Sequence, residues 1–335
     1  MEYKSVKGFG GWAQLGFLFA FLGLGFILAG GIQFLLTMQI MPTGKTVTDA
    51  DEVMKAMLAP ENVGMVRTIQ VLGTFALLFI PAVLWSIVSN GKNMFWLGFN
   101  KYINGFQLLL GFMLIFTAAF AASPLADLTK AVVAHFPQLD KMASNMEILY
   151  NKQAAALANI SNWQDYIIGL FIMAFFPAMF EEVFFRGALQ NLFTKWWRNP
   201  LLAIIVTAFI FSLIHMSIYL FLSRMLLGFV LGLMYHQTKN IWVNIVAHFI
   251  NNGIVLTSIF VMRMKNQKID MDKLDPSVHW SIGLTGLIAL VGLFIILNKY
   301  SAKNKAKIEA KENLLMAEAN PYNSIAHNQT NKRGT

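Results

Sequence analysis

The chain has 335 residues, 56% hydrophobic and only 13% charged, where a soluble domain carries roughly 25% charge, so an ordinary soluble globular protein is excluded. There is no cysteine, which excludes disulfides, a thiol nucleophile, thiolate metal ligands and lipidation of the chain's own cysteine. The net charge of +9 lies mostly in short loops and a tail, where the positive-inside rule accounts for it, so a nucleic-acid partner is discounted.

A span needs about 20 mostly apolar residues. On that measure the sequence predicts an all-α polytopic membrane bundle of eight spans, at residues 11–39, 66–89, 103–123, 165–190, 200–218, 220–236, 240–262 and 279–298. The first follows MEYKSVKG with no small-residue cleavage site and reads as an uncleaved span. Lys and Arg favour the loops on the N-terminal side, so an even span count puts both termini in the cytoplasm. No repeat or linker divides residues 1–298, which read as one transmembrane domain, and 299–335 read as a polar, largely disordered cytoplasmic tail whose first part can form a helix. Membrane localisation follows, with the cytoplasmic (inner) membrane of a bacterium as the expected setting.

Two connections carry structure of their own. After the first span, a short helix is expected beyond Thr48, capped by its side chain and opening with Asp49, Asp51 and Glu52. Within 124–164, Leu139, Met142, Met146 and Leu149 recur at helical spacing and predict an amphipathic helix on the membrane or over the bundle. Arg224 opens the sixth span, where it can snorkel, and is given no role.

Of the 17 acidic residues, only Glu181 and Glu182 fall inside an apolar segment. A charge at that depth costs about 2.5–3.5 kcal/mol on insertion scales and so marks a candidate functional site. Glu182 and Arg186 are one helical turn apart and can pair, while Glu181 is rotated about 100° away and stays available. His215 follows Phe211 by one turn on the fifth span, and Asn244, His248 and Asn252 form a polar stripe on the seventh. Glu181 and His215 lie equally far in sequence from Arg198, in the turn Arg198-Asn199-Pro200. Antiparallel helices from that turn bring both to the same height, roughly 25 Å along each.

A carboxylate opposite an imidazole can hold and deprotonate a water, and a second His/Asn pair can stabilise an oxyanion. Glu181, His215 and His248 are equally suited to ligate a metal such as zinc, and both chemistries stay open. Other hydrolytic sites lack their residues. There is no HExxH, no GxSxG and no aspartate in a span interior.

The sequences Glu181-Glu182-Val-Phe-Phe-Arg186, Phe211-Ser-Leu-Ile-His215 and His248-Phe-Ile-Asn-Asn252 read as EExxxR, FxxxH and HxxxN, in order and on separate spans. In these the chain resembles the CAAX protease and bacteriocin-processing family of intramembrane proteases, also called the Abi family, over about 165–260. The resemblance implies a membrane-embedded peptidase acting on a membrane-embedded or membrane-adjacent peptide. It implies Glu181 and His215 as the pair activating water, His248 and Asn252 as oxyanion stabilisers or metal partners, and Glu182 and Arg186 as support. Two other functions compete. A proton- or ion-coupled transporter also carries Glu and His in its spans, although here the polar residues cluster in the second half only. A non-catalytic binding or immunity protein could retain the same scaffold.

Overall fold

A computed structural model describes residues 3–160, 162–265, 267 and 278–318. Ten helices account for nearly all of them: α1 Gly11–Ile40, α2 Ala50–Leu58, α3 Pro60–Ser89, α4 Gly105–Val133, α5 Pro137–Leu157, α6 Trp163–Trp197, α7 Pro200–Ile214, α8 Phe221–Thr238, α9 Ile241–Met264 and α10 Trp280–Glu318. Every predicted span is found as a helix, but only α1, α3, α4, α6, α9 and α10 are long and apolar enough to cross a bilayer. The fifth predicted span shortens, and it forms a helical hairpin with the sixth, which keeps its length as the 18-residue α8. Helix α7 has 15 residues, about 22 Å at 1.5 Å each, short of a core about 30 Å thick.

Helices α1, α3, α6 and α7 pack around Leu18, Trp85, Phe185, Leu192 and Phe211. Helices α4, α8, α9 and α10 pack around Leu114, Leu231, Met234 and Val243. Large apolar side chains such as Phe26, Ile27 and Ile288 stay exposed on α1 and α10, as expected where the surrounding solvent is hydrocarbon.

The Lys7 N–H donates to the Ser89 carbonyl at 3.0 Å, Lys195 pairs with Glu312 at 2.6 Å, and Asn240 donates to Asn100 at 2.9 Å. One end of the bundle therefore gathers the N-terminal segment, the ends of α3, α6 and α8 and the extension of α10. Residues 299–318 are not a loose tail: they continue α10, with Ile308 buried beside Phe95 and Trp96 and Ser301 bonded to Gln107 at 3.0 Å. The rest of the predicted tail lies outside the described residues.

Local chemistry sets the helix limits. The cap of α2 is Asp49, not Thr48: its extended backbone lets the carboxylate accept from the Asp51 and Glu52 N–H groups at 3.1 and 3.2 Å. Asn199 caps α7 by accepting from the Leu202 N–H at 3.1 Å, and Pro200 occupies the first helical position. The wide turns at Phe75–Phe79 and Leu170–Phe175 immediately precede Pro81 and Pro177, absorbing prolines that lack an N–H. A third wide turn, Val183–Gln190, has no proline and carries Arg186.

Candidate active site

Glu181 and Glu182 sit near the middle of α6, His215 caps the C-terminus of α7, and His248 lies on α9. Glu182 and Arg186 are fully buried and their charges meet at 2.7 Å. Each makes further hydrogen bonds, although Arg186 Nε has no partner among the described residues. Glu182 Oε1 also accepts from His248 Nδ1 at 2.8 Å, Oε2 accepts from Asn244 at 3.1 Å, and Arg186 Nη2 donates to the Gly228 carbonyl at 3.0 Å. The Phe211 ring lies 4.8 Å from the guanidinium and 4.6 Å from the His215 ring, so it walls both groups.

Glu181 is treated differently. Its Oε2 is buried and lacks a hydrogen-bond partner among the described residues. It lies 3.9 Å from His215 Nε2 and 3.8 Å from His248 Nε2, beyond direct hydrogen bonding. The other ring nitrogens explain why these faces oppose one another. His215 Nδ1 is 2.6 Å from the Phe211 carbonyl, which can only accept, so Nδ1 carries the proton. His248 Nδ1 donates to Glu182. In the neutral rings both Nε2 atoms then present lone pairs to a carboxylate oxygen. Three acceptors thus converge, and the gap calls for a hydrogen-bond donor such as water, whose two hydrogens serve two of the three.

Burial grades in the same sense. The ion pair is sealed, whereas the side chains of Glu181 and His215 retain 15% and 26% exposure. Among the described residues, no group of three or more His, Asp or Glu side chains is gathered closely enough to hold a metal ion, so the zinc alternative finds no support in this donor set. Asn252 is half-buried one turn beyond His248 and makes no hydrogen bond to either glutamate among the described residues.

Sequence reasoning left Asn244 outside the site, although its place in the α9 stripe was visible. The structure joins it to Glu182 and to the Leu231 carbonyl at 2.7 Å. It also left out Arg224, whose Nη1 donates to the His215 carbonyl at 3.2 Å, a contact with no sequence signal.

Fold and site together define a polytopic helical membrane protein with an acid–imidazole cluster enclosed by α6, α7, α8 and α9. Residues 163–254 match the family model described as type II CAAX prenyl endopeptidase Rce1-like. Over that segment the chain is similar to the Rce1-like family, in agreement with the motif resemblance. A 109-residue stretch is 31% identical to the uncharacterized protein YpbD of Bacillus subtilis (strain 168), covering 30% of this chain. The chain spans about half (49%) of the length of that curated relative. No solved structure matches.

Proposed function

We propose that this integral membrane protein is an endopeptidase of the CAAX type that hydrolyses a peptide bond at the membrane with water activated by Glu181 and His215. The observation that carries this reading is the partnerless Oε2 of Glu181 facing two imidazole lone pairs at 3.8 and 3.9 Å. The Rce1-like match over 163–254 supports the substrate class.

In the proposed reaction a water bridges Glu181 and His215. Glu181 takes one proton as the water oxygen bonds to the scissile carbonyl carbon, while His215 Nε2 holds the second hydrogen and aligns the attack. The carbonyl electrons move onto oxygen. Asn252 can donate to that oxygen, and so can a protonated His248 Nε2. Collapse re-forms the carbonyl and breaks the C–N bond, and Glu181 returns its proton to the leaving amine.

The test is cleavage of a peptide library by purified protein in bilayer nanodiscs, with Glu181→Gln and His215→Gln beside it. Each variant is expected to lose about 10²–10⁴-fold in rate, the range for general-base groups. A chelator arm separates water activation by Glu181 and His215 alone, which leaves the rate unchanged, from a metal-assisted reaction. Undiminished cleavage by Glu181→Gln would remove the base, and chelator loss reversed by zinc would replace the mechanism with a metal one.

A further inference from the structure

The connection from α7 to α8 turns back at the level of Glu181, yet α6 continues from there to Trp163, about 27 Å further at 1.5 Å per residue. Its backbone is therefore recessed, where lipid supplies no hydrogen-bond partners and the protein must. Met216, directly after His215, holds φ at +52°, a left-handed conformation that residues with a side chain rarely keep without outside support.

That support comes from two directions. Arg224, in the first turn of α8, donates to the His215 carbonyl at 3.2 Å, and its guanidinium lies 5.1 Å from the ring centre of Tyr150 on α5. The connection itself is tied to the same helix. Ser217 donates to Glu147 at 3.1 Å and Tyr219 donates to Asp140 at 2.7 Å. The far end of α5 is anchored separately, since the buried Arg67 donates through Nε and Nη2 to the Leu157 carbonyl at 3.0 and 2.9 Å. Thus α5 is fixed at its C-terminus and clipped along its length to the segment that carries His215.

We propose that Arg224 is a positioning residue for His215, and that α5, docked through Asp140, Glu147 and Tyr150, is the cover that holds Arg224 and the connection in place. This rests on the reading of Glu181 and His215 as the water-activating pair. The guanidinium is gripped between a carbonyl on one side and an aromatic face on the other, so the main chain at His215 follows the docking of α5. Without Arg224, the His215 main chain loses this anchor, and the imidazole, held by its one bond to the Phe211 carbonyl, moves its Nε2 away from Glu181.

The experiment uses the full chain in nanodiscs. Arg224→Ala is expected to lower kcat about tenfold or more, the scale for a displaced catalytic group, with KM changed by less than about twofold and the melting temperature held. Arg224→Lys, which keeps a donor, is expected to recover part of the loss. Glu147→Cys with Ser217→Cys supplies the only two thiols in the chain. Joining them with a short bis-thiol reagent is expected to restore kcat in the Arg224→Ala background. A second readout needs no turnover: the ring nitrogen signals of His215 in isotope-labelled protein, identified by their loss in His215→Gln. They are expected to shift in Arg224→Ala and return on cross-linking. If the unmodified protein cleaves nothing, the peptidase reading fails while the ring signals still decide the role of Arg224. Unmoved ring signals in Arg224→Ala, or a cross-link that restores neither readout, would overturn the proposal.

Discussion

Glu181 and Glu182 are adjacent and chemically identical, and their surroundings divide them. Glu182 accepts from Arg186, His248 and Asn244, so its charge is compensated where no solvent reaches. Removing Arg186 would strand that carboxylate. Arg186→Ala is therefore expected to cost about 3–5 kcal/mol, read as thermal unfolding of the purified protein. Asn244→Ala removes a single bond to a charged group and should cost about 1–3 kcal/mol. Glu181→Gln replaces a carboxylate whose Oε2 has no hydrogen-bond partner among the described residues, so it should leave the melting temperature nearly unchanged while abolishing cleavage. Equal destabilisation by Glu181→Gln and Arg186→Ala would contradict this division.

Between elements, close approach is what assembles the site. Gly228 and Gly232, one turn apart on α8, let α6 and α7 come near enough for Arg186 and Gln190 to reach their carbonyls, at 3.0 and 2.9 Å. Such small-residue pairs are a common way for helices to approach in a bilayer. A Cβ at Gly232 would lie 2.9 Å from both Gln190 Oε1 and Ile204 Cγ2, and one at Gly228 would lie 3.1 Å from Phe211 Cδ1. Gly232→Val is expected to destabilise by about 1–3 kcal/mol through overpacking. Gly228→Ala should disturb the rate more than the melt, because it pushes on the ring that walls Arg186 and His215. On the other side of the site, the bond to Asp140 pushes the Tyr219 hydroxyl from the ordinary 10 up to about 12. A raised phenol value means the protonated hydroxyl is favoured in the folded state. The contribution is complete below pH 10 and is lost as pH climbs from 10 to about 12. A tyrosinate absorbance titration should lose one late-titrating group in Tyr219→Phe, with no such loss if the bond is absent.

Over the whole molecule, the two ends of the bundle have different tasks. One end carries α5 and the recessed α7–α8 connection beside the site. The other is closed by the extension of α10, held by Ile308 against Phe95 and Trp96 and by the Lys195–Glu312 pair. That ion pair is about one-third exposed and is worth at most about 1 kcal/mol, whereas Ile308 is 4% exposed. Ile308→Ala is therefore expected to cost about 2–5 kcal/mol and Glu312→Ala much less, a ranking that thermal melts of the two variants would test.

Membrane character, helix positions and the motif residues were legible in the chain itself. Hydropathy depends on local composition, and charges in lipid are too costly to be incidental. The α6–α7 turn could likewise be read from Asn199 and Pro200, because caps act within one turn, and equal spacing about Arg198 anticipated the meeting of Glu181 and His215. Other features needed the folded molecule. Adjacent positions in a helix do not reveal which of two glutamates meets a donor from a helix 62 residues away, as Asn244 does. Nor does composition distinguish an arginine at a helix start that snorkels from one that grips the His215 carbonyl, since that choice depends on what packs across from it. A helix past residue 299 was legible, but its docking was hidden for the same reason: Ile308 and Ser301 find their partners on distant segments. Periodicity and caps are set by neighbours along the chain, whereas burial, pairing and exposure are set by neighbours in space.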